Sequence, residues 1–314
     1  MSSAPAPSAA PFGPAGLLLY TLTVLIFGSG WLPLRMQLGV VAPEVSLTWR
    51  FLLATLVMLA VLAVRRDRFM FGWRDHLVFA VLGATLFSLN FITFYYAGYH
   101  LPSGLLSVVF ALAAVMIPLL GALVLGQPLR RRVIAGALVG VAGLALVFGP
   151  SVASGEGVSG AGEGLALALT GTFCFSVGSL VSGVAGRRGY PLVSMSAWGF
   201  FYGFVILLAL ALARGAPFMV EWNARYIGSL LYLVGAQTLS GFALYFLLIR
   251  RIGASRAGYA TVLFPLVALA LSTWFESFHW TLGAAFGIAL VLAGTLLVLL
   301  PPRARPDAGP APKG

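Results

Sequence analysis

Ten apolar stretches dominate the chain, near residues 15–34, 45–64, 76–97, 103–125, 132–149, 164–184, 192–213, 226–249, 256–275 and 280–300. Each is about as long as the roughly 20 apolar residues a helix needs to cross a hydrocarbon core. They form two sets of five that echo each other at a spacing of roughly 150 residues. Five is odd, so the second set must enter the membrane upside down relative to the first. Secondary transporters are commonly built on such inverted repeats, with substrate held midway at the junction of the halves. The pattern predicts an all-α integral membrane protein of ten transmembrane helices. The two inverted five-helix repeats are 15–150 and 164–300, with a linker at 151–163 and disordered tails at 1–14 and 301–314.

Composition agrees, with 60% hydrophobic and 9% charged residues, against about 45–50% and about 25% in soluble domains. The net charge of +11 does not point to nucleic acid, because the basic residues sit in short clusters between spans. With the N-terminus placed in the cytoplasm, the inner segments carry Arg65, Arg66, Arg68, Arg74, Arg130, Arg131, Arg132, Arg187, Arg188, Arg250, Arg251, Arg256, Arg303, Arg305 and Lys313. The outer loops carry only Arg35, Arg214 and Arg225, a bias that sets both termini inside. The acids Glu44, Glu156, Glu163, Glu221 and Glu276 all fall on the outer side. A single cysteine, Cys174, rules out a disulfide framework or a cysteine-based metal site.

The repeat is visible residue by residue. Ser88-Leu89-Asn90 and Tyr95-Tyr96 align with Thr238-Leu239-Ser240 and Tyr245-Phe246, and Trp49-Arg50-Phe51 aligns with Trp198-Gly199-Phe200. Gly136 and Gly143 align with Gly287 and Gly294, in helices expected to end at Pro150 and Pro301.

Together with Phe27-Gly28-Ser29-Gly30-Trp31 and Trp49-Arg50-Phe51-Leu52-Leu53-Ala54, these positions resemble the EamA family of the drug/metabolite transporter superfamily over about residues 15–300. Where members usually have a Glu after the fourth span, this chain has Gly126-Gln127, and Glu276 occupies the corresponding place in the second half. Within the family the likeness is to exporters of amino acids, aromatic ones included, and of related metabolites. The resemblance implies a bacterial inner-membrane location and a monomer in which the fifth and tenth spans join the halves through Gly136, Gly140, Gly143, Gly283, Gly287 and Gly294. Small residues at such spacing let helix backbones approach closely.

Arg50 is the one ionisable group well inside a span, and such groups usually serve a purpose. Six residues past Glu44, about 9 Å along a helix, it is expected near the outer opening. There it either draws a substrate carboxylate or an outer-loop acid, or plays a structural role, snorkelling or bonding helix-end carbonyls. No carboxylate is embedded mid-span, and His76, His100 and His279 lie near helix ends, so the chain lacks an obvious proton relay and facilitative movement is expected.

Asn90 and Thr93, with Gln237 and Ser240, offer uncharged donors and acceptors for a zwitterion, or else bonds between helices. Tyr95, Tyr245, Trp49 and Trp198 are candidate cavity walls, against the alternative that such aromatics anchor the protein at the membrane surface. Pro33, Pro118 and Pro265 mark kinks, static or hinge-like. Neither HExxH nor GxSxG nor a Walker motif is present, so an enzyme or a nucleotide-driven pump is not indicated, and no cofactor is implied. The runner-up substrate class is a sugar or nucleotide sugar.

Overall fold

A computed structural model describes residues 13–153, 160–252 and 259–300, and every regular element in it is helical. In chain order these are α1 (Pro14–Ser29), α2 (Trp31–Met36), α3 (Pro43–Arg65), α4 (Trp73–Leu82), α5 (Asn90–Ala97), α6 (Ser103–Ala111), α7 (Ala113–Leu125), α8 (Arg131–Ala153), α9 (Ala161–Arg187), α10 (Leu192–Ala213), α11 (Ala224–Leu231), α12 (Gly241–Ile252), α13 (Ala260–Phe275) and α14 (Leu282–Leu299). π-Helical turns at Gly83–Leu89 and Tyr232–Ser240 fuse α4 to α5 and α11 to α12.

Among the described residues, nine continuous helical runs are long and apolar enough to cross a membrane, and α13 is a shorter apolar helix of 16 residues. The stretch expected from 256 thus begins later in the described structure, at Ala260; residues 253–258 lie outside it, as do 1–12 and 301–314 of the expected tails and 154–159 of the linker.

Helix ends follow local chemistry. Proline at an N-terminal position and Glu44 in the first turn open α3, and Arg65 lies in its last turn, the charge order the helix dipole favours. Asn223 and Thr281 cap α11 and α14 through bonds from the backbone N–H groups of Tyr226 and Ala284. Pro33 has no N–H to offer the Ser29 carbonyl, and the helix breaks there, between α1 and α2. Pro150 does not end its helix as expected: α8 runs on to Ala153, because a proline near a terminus sacrifices a single backbone bond.

The heaviest packing joins the first half of the chain to the second: α8 with α14, α3 with α10, α5 with α9, α6 with α13 and α1 with α13. At the α8–α14 crossing a Cβ added to Gly136 would lie 2.5 Å from the Gly294 carbonyl oxygen, and one on Gly143 2.5 Å from that of Gly287. Gly140 backs the same contact, its nitrogen 3.0 Å from the place of a Gly294 Cβ, whereas Gly283 has room, its nearest neighbour on α8 being the Leu146 oxygen at 3.6 Å. Replacing Gly136 by valine should therefore force the helices apart and cost about 1–3 kcal/mol. A lowered thermal unfolding midpoint in detergent is the expected result, with Gly283→Ala as the near-neutral control.

Candidate functional site

Two cavities lie between the halves. The deeper, about 80 Å³, is lined by Arg50, Asn90, Gln237 and Thr238 among aromatic and aliphatic side chains including Trp31, Leu34, Phe87, Phe91 and Phe94. The wider, about 930 Å³, reaches the exposed Gln127, Pro128, Leu129, Arg130 and Arg187 at the arginine-rich end of the molecule. Phe27, Phe110, Phe175 and Phe264 line both.

Arg50, on α3, stands at no opening; it is 1% exposed. Its Nε donates to Thr238 Oγ1 at 3.1 Å and its Nη2 to Thr238 Oγ1 at 2.9 Å and Gln237 Oε1 at 3.1 Å. Its guanidinium carbon lies 4.4 Å from the centroid of the Phe91 ring, within cation–π range. Among the described residues no carboxylate pairs with it, and Nη1 has no hydrogen-bond partner. The neighbouring Tyr95 hydroxyl donates to Gln37 Oε1 at 2.8 Å and turns its oxygen lone pairs to the guanidinium, a neutral contact that leaves the charge uncompensated. A buried cation held by neutral groups alone is electrostatically incomplete, since desolvation costs several kcal/mol per ion.

The local fold explains how its partners reach it. The π-helical turn before α12 lets Thr238 Oγ1 donate to the carbonyl five residues back, Leu233 O, at 2.8 Å, which leaves its lone pairs for Arg50. Ser88 does the same in the first half, donating to Gly83 O at 2.8 Å. Gly30 makes way for Gln237, because a Cβ there would lie 2.1 Å from its Nε2. Asn90 Nδ2 donates to Leu86 O at 3.2 Å, which fixes the amide's orientation and leaves Oδ1 buried without a donor. The chamber thus holds one unsatisfied cationic donor and one unsatisfied acceptor.

Of the other expected site residues, Gln237 lines the chamber and Tyr245 the wider cavity, while Ser240 is exposed and lines neither. Tyr95 is fully buried behind Arg50 and acts on it from there. Trp49 and Trp198 stand outside both cavities and make matching contacts: each indole N–H donates to a carbonyl in a loop of the other half, Met219 O at 3.2 Å and Phe69 O at 3.3 Å. Pro118 and Pro265 line the wider cavity, and Pro33 lies in α2 between the chamber residues Trp31 and Leu34.

At the opposite end of the molecule two carboxylates tie the halves together. Glu276 accepts from the backbone N–H and hydroxyl of Ser103, at 2.9 and 2.6 Å, and pairs with Arg35 Nη1 at 3.2 Å. Glu44, on α3, accepts from the Tyr96 hydroxyl at 2.8 Å and lies 3.5 Å from Arg214 Nη1, which also bonds the Tyr96 oxygen. Both carboxylates are largely buried, although the sequence had marked them only as loop acids.

A polytopic helical molecule with a cation-based chamber between two interlocked halves has counterparts. The EamA-like transporter family matches residues 14–149 and again 162–300, one copy in each half. The chain belongs to that family. Among EamA relatives, the transporter YvbV of Bacillus subtilis is 27% identical over 284 residues, 90% of each chain. A probable terminal-alkyne amino-acid exporter of Streptantibioticus cattleyicolor is 28% identical over 292 residues, 88% of this chain and 91% of its own. One crystal structure, at 20% identity, superposes with a TM-score of 0.59 over 90% of this chain and 96% of its own, a likeness of fold.

Proposed function

We propose that this multi-pass EamA-family transporter exports neutral amino acids, taking the carboxylate on Arg50 Nη1 and the α-ammonium on Asn90 Oδ1. The observation that carries the reading is that pair of unsatisfied atoms, of opposite polarity, in one buried chamber. A zwitterion satisfies both at once. The aromatic faces around it, Phe91 and Phe94 among them, suit an ammonium or an apolar side chain. The relative described as an amino-acid exporter supports the same class. A nucleotide sugar would bring a pyrophosphate to a chamber with one cation in its described lining, and a neutral sugar would leave Arg50 without an anion.

Movement is by alternating access, a reading supported by the placement of the cavity and the carboxylate contacts. The arginine-rich end is cytoplasmic by the positive-inside bias, and the wide cavity opens there while carboxylate latches close the far side. The two halves are inverted repeats that rock about the buried site, a reading supported by the matching contacts of Trp49 and Trp198 and of Ser88 and Thr238. With the α8–α14 contact inside one chain, a bacterial inner-membrane monomer suffices.

The test is uptake of labelled tryptophan, phenylalanine, threonine and a sugar into liposomes carrying the purified protein, with and without a pH gradient. Saturable amino-acid uptake that equilibrates equally under both conditions is expected. Tryptamine, which lacks the carboxylate, and N-acetyltryptophan, which lacks the ammonium, should compete poorly with tryptophan. Sugar uptake without amino-acid uptake would overturn the reading.

A further inference from the structure

The deep chamber and the wide cavity meet at four phenylalanines that none of the reasoning about Arg50 requires. Phe27 from α1 stacks on Phe264 from α13, with ring centroids 5.2 Å apart and planes at 22°. Phe110 from α6 meets Phe175 from α9 at 4.6 Å and 63°. Each pair takes one ring from either half of the chain. All four rings line both cavities, so they form the wall between them. A chamber of about 80 Å³ accommodates little beyond a substrate's charged end; the cavity beyond the rings has about 930 Å³.

We propose that these four rings form a collar that admits the substrate to Arg50 and grips its side chain there, setting a preference for flat apolar side chains. The inference rests on the amino-acid reading above. When a carboxylate reaches Arg50 Nη1, the Cα and side chain lie back towards the wide cavity, which begins at the collar. An aromatic side chain entering between Phe27–Phe264 and Phe110–Phe175 meets ring faces and edges, contacts that a methyl side chain has no ring to make. Because both pairs bridge the halves, any rocking of one half against the other parts the rings, which couples release of the side chain to the transport movement.

Two readouts test this, one of them independent of what is carried. In a Cys174→Ser background, Leu34→Cys puts a thiol in the chamber beyond the collar, and Ser179→Cys puts one in the wide cavity before it. A membrane-impermeant trimethylammonium thiosulfonate is applied from the arginine-rich side. Phe110→Ala and Phe264→Ala should speed labelling at position 34 about tenfold and leave position 179 unchanged, which also shows that the variants are folded. In liposomes the same variants should raise KM for tryptophan about tenfold, the order of one lost aromatic contact, with alanine changed less than twofold.

Unchanged labelling at position 34 overturns the collar. Faster labelling with an unaltered tryptophan-to-alanine ratio overturns the selection of side chains. Faster labelling in a parent protein that carries no amino acid leaves the collar standing as a barrier and removes the amino-acid reading instead.

Discussion

Replacing Arg50 by methionine should weaken transport by raising KM about 10- to 100-fold, while leaving the protein as stable as its parent, or more so. The two effects have opposite signs because the residue is a binding group built at the expense of folding. Its charge is 1% exposed, its partners are the neutral Gln237 and Thr238, and no described carboxylate compensates it. Removing a buried ion of this kind recovers a desolvation penalty of several kcal/mol. It leaves Gln237 Oε1 without a donor, a cost of about 1–3 kcal/mol, while Thr238 keeps its bond to Leu233 O. The unfolding midpoint in detergent should therefore hold or rise. Loss of a charged hydrogen bond to substrate, about 1.5–3 kcal/mol, should raise the half-saturating concentration about 10- to 100-fold. Arg50→Lys should fall between, since an ammonium keeps the charge but cannot serve Thr238, Gln237 and substrate with one planar fork. A purely structural arginine would give the reverse: a lower midpoint with KM unchanged.

How much of this site could be read in the sequence depends on how far apart its parts lie. Arg50 stood out by itself, since a lone charge inside an apolar run is conspicuous in one dimension. Gln237 is a candidate in its own right, but its pairing and that of Thr238 with Arg50 are not legible, because they lie more than 180 residues along the chain and nothing local says which face of their helix meets α3. The sequence aligns Asn90 with Ser240, yet Asn90 is buried in the chamber and Ser240 is exposed. The cause is the π-helical turn, 7 residues long before Asn90 and 9 long through Ser240, which advances the helix face differently in the two halves. A period of 3.6 cannot anticipate that. Trp49 and Trp198, expected as cavity walls, line neither the chamber nor the wider cavity, because their indole N–H groups reach across to opposing loops. The helical spans were legible almost throughout, because each is set by a run of apolar residues that no tertiary contact needs to explain. The carboxylates Glu44 and Glu276 show the converse. Near a helix end the sequence reads an acid as solvated, and only the packing of the other half over it makes it a buried partner.

That burial makes Glu276 the second group whose loss should be large. Its carboxylate ties together the start of α6, through the Ser103 N–H and hydroxyl, and Arg35 beyond the α1–α2 break, both in the first half, while Glu276 itself belongs to the second. Two charge-assisted bonds and an ion pair thus hold the acidic end shut. Glu276→Ala removes all three, and at about 1.5–3 kcal/mol for a charged bond the closed state should lose about 100-fold in relative population. The expected result is that a thiol at position 34, reached from the acidic side by an impermeant reagent in the Cys174→Ser background, reacts at least tenfold faster. Glu276→Gln should do less, since its amide still offers an oxygen to Ser103. Adding Glu44→Gln, which weakens the contact with Tyr96 and Arg214, should deepen the effect beyond either change alone. If both latches are broken and the chamber stays inaccessible from that side, the seal is made by the apolar packing of α1, α6 and α13, and the carboxylates only decorate it. If the chamber opens, the energy that holds the outer face closed resides in two carboxylates, and substrate binding at Arg50 has only to offset that much to turn the protein outward.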